Sequence, residues 1–144
     1  MKIGVILILL CLVLLPSPVI GVEPFQEVRL QPRSVDIDLT LNTDGTVNSV
    51  VTVKAVVPNG KILPENSIAV LEMNIQDNER IEEKSIKVYD IRNNFSYVPA
   101  VRLEPDTCLR NFYFNATSND IEFCPPITSE NDFYYQISWT YLPA

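Results

Sequence analysis

Hydrophobic and polar residues alternate in two neighbouring stretches of the chain. In the first stretch the apolar positions are Val35, Ile37, Leu39 and Leu41, separated by Asp36, Asp38 and Thr40. The alternation resumes over 47–57, after turn residues at 42–45 that tolerate positive φ. Since successive side chains of a strand point to opposite faces, the two stretches predict an antiparallel hairpin. Its apolar face is expected in the core, and Asp36 and Asp38 are expected on a solvated sheet face.

Four further segments are typical of strands. They cover 68–75, 85–91, 95–103 and 133–141. Pro99 lies inside the third of these, and because proline cannot donate to a ladder on both sides, it predicts an edge strand or a bulge. The last segment alternates aromatic and apolar residues with polar ones, so we expect it to supply much of the core.

The spacing of two cysteines predicts a disulfide-bonded hairpin. If Cys108 and Cys124 lie opposite one another, the centre of the hairpin falls at Ala116, among turn-forming residues. The same register places Arg110 opposite Glu122. A cross-strand disulfide and a cross-strand ion pair therefore agree on one register.

About seven or eight short strands, with no convincing helix after residue 21, predict an all-β fold. The expected architecture is an antiparallel β-sandwich, immunoglobulin-like or fibronectin-like, formed by a single domain over 22–144. The resemblance is limited to architecture. The cysteines are too close in sequence for the inter-sheet pair of an antibody domain, and Trp139 follows them instead of lying between them.

The first 21 residues are typical of a signal peptide. Lys2 precedes an apolar run over 3–15, and a proline and small residues follow, with cleavage expected after Gly21. The alternative is an uncleaved N-terminal membrane anchor, since 3–22 approaches the length of a spanning helix. The expected location is secreted or on the extracytoplasmic cell surface, with membrane contact only if this segment is retained.

The charge of the chain argues against nucleic acid as a partner. Eleven basic and eighteen acidic side chains give a net charge of −7, and without Lys2 the balance is ten against eighteen, or −8. An acidic surface repels phosphate backbones. The chain has no histidine, which removes the imidazole base, the serine-type triad and histidine metal ligands.

No cofactor and no metal site is expected. The segment 40–51 resembles a calcium loop in spacing, but Thr40 and Val51 occupy the positions of its first and last acidic ligands. A hairpin turn is the preferred interpretation of this segment. The two cysteines lack a CxxC arrangement, which favours a structural bond over a redox pair.

The remaining candidate residues indicate glycosylation and binding at a surface. Asn94 and Asn115 begin N-glycosylation sequons. Tyr113 and Tyr134 belong to an excess of aromatic residues and are candidate contacts for a protein or glycan partner.

The preferred hypothesis is an exported, non-enzymatic β-sandwich module with a binding or structural role. One alternative is a carboxylate-dependent extracellular hydrolase using Asp36 and Asp38, since paired carboxylates can serve as acid and base. Another is a membrane-anchored subunit of a surface complex.

Overall fold

The computed structural model describes residues 26–60, 67–73, 75, 78–104, 108–125 and 132–143. The expected signal segment lies outside these residues. Ten strands occur in the described part: β1 (Gln26–Arg29), β2 (Gln31–Leu41), β3 (Val47–Val56), β4 (Ser67–Glu72), β5 (Ile81–Asp90), β6 (Phe95–Ser96), β7 (Val98–Pro99), β8 (Asn111–Asn115), β9 (Asp120–Phe123) and β10 (Asp132–Tyr141). Pro58–Gly60 and Asn78–Arg80 form single 3-10 turns. The described part contains no helix long and apolar enough to cross a bilayer.

The strands form two packed sheets, which confirms the predicted all-β sandwich. The first sheet has the order β1-β4-β9-β8-β7, and the second has the order β2-β3-β10-β5-β6. Most neighbouring pairs are antiparallel, as expected. At the two ends of the first sheet, however, β1 pairs with β4 and β7 pairs with β8 in parallel.

The predicted hairpin is formed by β2 and β3. Val35 lies opposite Val53, and Ile37 lies opposite Val51. The connecting turn is held by a hydrogen bond from the Gly45 N–H to the Asn42 carbonyl, at 3.1 Å. Gly45 has a φ of 85°, a conformation that glycine adopts without steric cost. The alternation of the sequence and the turn residues therefore select the same register.

The core lies between the sheets, and β10 runs through the middle of the second one. Its alternate residues Phe133, Tyr135, Ile137 and Trp139 are all buried. Tyr135 packs edge-on against Phe123 from the first sheet, with ring centroids 4.8 Å apart. The predicted aromatic contribution of this strand to the core is confirmed.

The segment 95–103 does not form the single strand that its pattern predicts. It is divided at Tyr97, which is 4 % exposed and points into the core. The part before Tyr97 pairs with β5 in the second sheet, and the part after it pairs with β8 in the first. The chain therefore crosses from one sheet to the other here. Pro99 lies in the edge strand β7, as expected.

The disulfide between Cys108 and Cys124 is present, with Cα atoms 5.6 Å apart, but the register predicted for its hairpin is wrong. Glu122 lies opposite Tyr113 instead of Arg110, a shift of three residues. The predicted ion pair between Arg110 and Glu122 is therefore not formed.

The shift arises because Cys108 precedes the strand. The chain turns between Cys108 and Asn111, where the Asn111 N–H donates to the Cys108 carbonyl at 2.8 Å. Arg110 takes a positive φ of 64° in this turn, and its guanidinium lies 4.6 Å from the centroid of the Phe95 ring. The loop between β8 and β9 occupies 116–119 and ends at Asn119, whose φ is 57°. Asparagine tolerates this conformation better than most residues.

Candidate functional site

The outer edge of β2 is the longest open sheet edge in the described structure. β2 has eleven residues, whereas the other three end strands have four, two and two. Within the described ranges, β3 is the only strand that pairs with β2. Edge strands carry a row of unpaired N–H and C=O groups, and folded proteins commonly protect such edges by keeping them short. β2 lacks that protection.

The ladder between β2 and β3 fixes which backbone groups of β2 are free. The Asn42 N–H donates to the Thr46 carbonyl at 2.9 Å. Hydrogen-bonded and non-hydrogen-bonded pairs alternate in an antiparallel ladder, and no irregularity interrupts this one between Ser34 and Leu41. It follows that the even-numbered residues bond to β3. The N–H and C=O groups that point away from β3 belong to Val35, Ile37, Leu39 and Leu41.

A bulge limits the regular part of this edge. Pro32 lies opposite Ala55 and Ser34 lies opposite Lys54, so Arg33 is the extra residue. A bulge and a proline both discourage pairing. Because they occur only at the start of β2, they protect its first three residues and leave 34–41 as an open ladder.

The apolar side chains of β2 are exposed, which corrects the expectation that they are buried in the core. The exposed fractions are 46 % for Val35, 46 % for Ile37, 65 % for Leu39 and 75 % for Leu41. These residues share a face with Val51 and Val53, which are buried. The face was therefore predicted correctly, but the described strands of the first sheet do not extend over β2. Four neighbouring apolar side chains on one strand form the kind of patch that marks interaction surfaces.

An apolar groove of about 370 Å³ opens between the two sheets beside β2. Pro32, Val35 and Ile37 form one wall, and Leu71, Glu72 and Met73 from the end of β4 form the other. Between them lie Val51, Val53, Ile137 and Trp139. Glu72 is the only charged residue among the described residues of the lining, so this part of the groove is suited to apolar side chains.

The carboxylates of Asp36 and Asp38 lie on the opposite face of β2, away from the groove. Both residues are exposed, and their neighbours on β3 are Thr52 and Val50. Among the described residues, neither carboxylate has an ion-pair or hydrogen-bond partner. The structure thus places this acidic pair on an open sheet face, as the alternation indicates.

Tyr113 and Tyr134, the two aromatic candidates, are not brought together. Tyr113 lies on the outer face of the first sheet, beside a depression of about 580 Å³ near β7. Tyr134 lies on the outer face of the second sheet, with the Lys54 Nζ atom 5.1 Å from its ring centroid. Because the outer faces of a sandwich are on opposite sides of the molecule, these tyrosines cannot share one small site.

The two sequon asparagines differ in environment. Asn94 is exposed in a turn and accepts a hydrogen bond from the Tyr89 hydroxyl. Asn115 is half-buried at the end of β8, and its Nδ2 atom donates to Glu122 at 3.4 Å. Partial burial raises the pKa of Glu122, and the Asn115 hydrogen bond partly opposes that shift. Glycosylation of either asparagine stays a prediction.

The segment 40–51 forms the preferred hairpin turn. Asp44 accepts hydrogen bonds from the Thr46 hydroxyl at 2.6 Å and from the Thr46 N–H at 3.0 Å. These bonds lower the pKa of Asp44. Over the part of the chain that the structure describes, no three Cys, His, Asp or Glu side chains are grouped closely enough to hold a metal ion.

Two buried tyrosines have strongly shifted pKa values without forming a site. Burial raises the pKa of both Tyr97 and Tyr135 far above the ordinary value, so both stay neutral. Their hydroxyls are close enough to influence each other's ionisation, but neither makes a hydrogen bond of ordinary geometry. Both rings lie in the central core, and neither lines the groove beside β2.

Comparison of the chain with protein-family models, with curated proteins and with solved structures finds no match.

Proposed function

We propose that the protein is an exported, non-enzymatic binding module that holds an extended segment of another polypeptide along the edge of β2. The observation that carries this proposal is the open ladder over 34–41, which runs beside an apolar groove. The partner segment becomes a sixth strand of the second sheet. Its apolar side chains cover those of β2 and reach towards the groove.

A polypeptide fits this edge better than a small molecule or a glycan. Free N–H and C=O groups recur at every second residue of β2, and an extended backbone presents groups with the same repeat. In strand addition, the main-chain hydrogen bonds provide affinity, and the pockets for alternate side chains provide specificity. Val35 and Ile37 contribute both, because each has outward backbone groups and a side chain in the groove lining.

Export is supported by the disulfide and by the N-terminal sequence. A bond between Cys108 and Cys124 is compatible with an oxidising compartment, where structural disulfides persist. The residues over 1–21 have the composition of a signal peptide. We therefore place the function in the extracellular space or at the extracytoplasmic cell surface, with another protein as the partner.

A backbone substitution paired with a side-chain control tests strand addition. A photo-crosslinking amino acid replaces Leu41 in the full chain, which is expressed in its own host. Leu39→Pro removes one outward N–H without removing a bond to β3, and proline is tolerated on the open side of an edge strand. Leu39→Ala shortens the same side chain but keeps the N–H. Crosslinking at the exposed Val98 provides the background level.

Strand addition requires that Leu41 crosslinks to one defined segment of another protein. The crosslink must survive Leu39→Ala and be lost in Leu39→Pro, with both variants folded by circular dichroism. Three results would overturn the proposed function. They are equal crosslinking in the two variants, crosslinks formed only within or between copies of this chain, and crosslinking no stronger than at Val98.

A further inference from the structure

The charge on the outer face of β2 identifies the chemistry of the partner strand. We infer that the segment bound at this edge alternates apolar residues with lysine or arginine, and that the basic residues lie opposite Asp36 and Asp38. This inference rests on the proposed strand addition. It adds the sequence class of the partner and excludes a second copy of this chain.

Neither carboxylate forms an ion pair with a described residue of its own sheet. Their β3 neighbours are the uncharged residues Thr52 and Val50. The nearest basic residue along β3, Lys54, lies opposite Ser34 and stands over the ring of Tyr134. A strand added to the open side of β2 thus meets two adjacent negative charges on one face and apolar side chains on the other.

The hydrogen-bond pattern also places the charged positions close to the partner. Because the odd-numbered residues of β2 direct their backbone groups outward, Asp36 and Asp38 occupy the non-hydrogen-bonded positions of an added antiparallel pair. At these positions facing Cα atoms approach to about 4.5 Å, closer than at hydrogen-bonded positions. Opposite charges facing each other there stabilise the pair, and like charges destabilise it. Basic residues are therefore favoured at two alternate positions of the bound segment.

A second copy of β2 does not meet this requirement. Symmetric antiparallel pairing must match odd-numbered residues with odd-numbered residues, since only these have outward groups. The two longest registers of this kind over 34–41 are centred on Ile37 and on Asp38. The first sets Asp36 against Asp38 twice, and the second sets Asp38 against itself. Two chains of net charge −7 also repel one another.

Peptide binding to the purified full chain tests this inference. The probe is a nine-residue, end-blocked peptide in which isoleucine and lysine alternate, and its twin carries glutamate in place of lysine. We expect the lysine peptide to bind at least tenfold more tightly at low salt. The double variant Asp36→Asn, Asp38→Asn should remove most of that preference. The matched control is the double variant Glu82→Gln, Glu83→Gln, which changes the net charge by the same amount at exposed positions of β5. It should keep the preference for the lysine peptide.

Methylated peptides separate this inference from the proposed function. Methyl groups on the isoleucine amides block hydrogen bonding to β2 and should abolish binding, whereas methyl groups on the lysine amides should not. If the lysine and glutamate peptides bind equally and show this methylation pattern, strand addition stands and the charge inference is wrong. If neither peptide binds, both are wrong. A symmetric dimer in analytical ultracentrifugation that is broken by Leu39→Pro would make a second copy the occupant and overturn the inference.

Discussion

Truncation of Ile37 and of Ile137 compares the same side chain in two states of burial. Both residues line the groove, but Ile37 is 46 % exposed and Ile137 is 2 % exposed. An isoleucine-to-alanine substitution removes three carbon atoms, each contributing about 0.8 kcal/mol when buried. For Ile137 this amounts to about 2.4 kcal/mol, and the cavity that remains increases the loss to about 3–4 kcal/mol. For Ile37, which keeps roughly half of its surface in water, about 1 kcal/mol is expected.

The assay is urea denaturation of the full chain without added partner, followed by tryptophan fluorescence and circular dichroism. The free energy of unfolding is compared at equal m-values, so that both variants report on the same transition. Ile137→Ala should lose at least twice as much stability as Ile37→Ala. Equal losses would refute this expectation, because they would mean that the inner face of β2 is covered in the isolated protein.

Three further substitutions test how the core and its borders are held together. Arg29→Ala should lower the free energy of unfolding by about 1–2 kcal/mol, because the buried Asp120 carboxylate loses the ion pair that Arg29 makes with it at 3.2 Å. The loss is limited because the Arg29 side chain is itself largely exposed. A loss below about 0.3 kcal/mol in urea denaturation would contradict this. Tyr135→Phe removes a buried hydroxyl without a hydrogen bond, so thermal unfolding should show unchanged or higher stability, and a clear loss would reveal a missed partner. Burial raises the pKa of Glu122 in the folded state, so its ionisation opposes folding above the unfolded pKa. Glu122→Gln should therefore stabilise the protein at pH 7, and the gain should fade as the pH falls from the raised folded-state pKa to the ordinary glutamate pKa of about 4.3. A gain independent of pH would exclude ionisation as its cause.

The strands that could be predicted are those whose alternation and turn residues lie within the segment itself. In β10, alternate residues from Phe133 to Trp139 are buried against the other sheet. The two strands that pair with it, β3 and β5, contribute apolar side chains to the same inner face. In β2 and β3, turn residues at Asn42 and Gly45 join two alternating runs, and this fixes the register. For such segments the period of the sequence and the environment of the side chains agree.

The features that could not be predicted depend on contacts distant in sequence. Whether Ile37 is covered by the first sheet depends on how wide that sheet is. The sequence of β2 contains no information about that width. β1 is short and polar, and in the described part of the chain its one strand partner is β4, with which it pairs in parallel. In the disulfide hairpin, a turn at Arg110 uses three residues before β8 begins, so the cysteine spacing alone gives the wrong register. The candidate site was missed for the first of these reasons, since an alternating strand has the same pattern whether its apolar face is covered or open.

Amide hydrogen exchange along β2, measured by NMR on the full chain without a partner, tests the open edge most directly. The amides of Val35, Ile37 and Leu39 should exchange rapidly, because they point to solvent, while those of Asp36, Asp38 and Thr40 should be protected by their bonds to β3. Alternating protection of this kind would support an edge that is free to receive another strand. Slow exchange at all six amides would contradict the account, because it would show that this edge is already paired in the isolated protein.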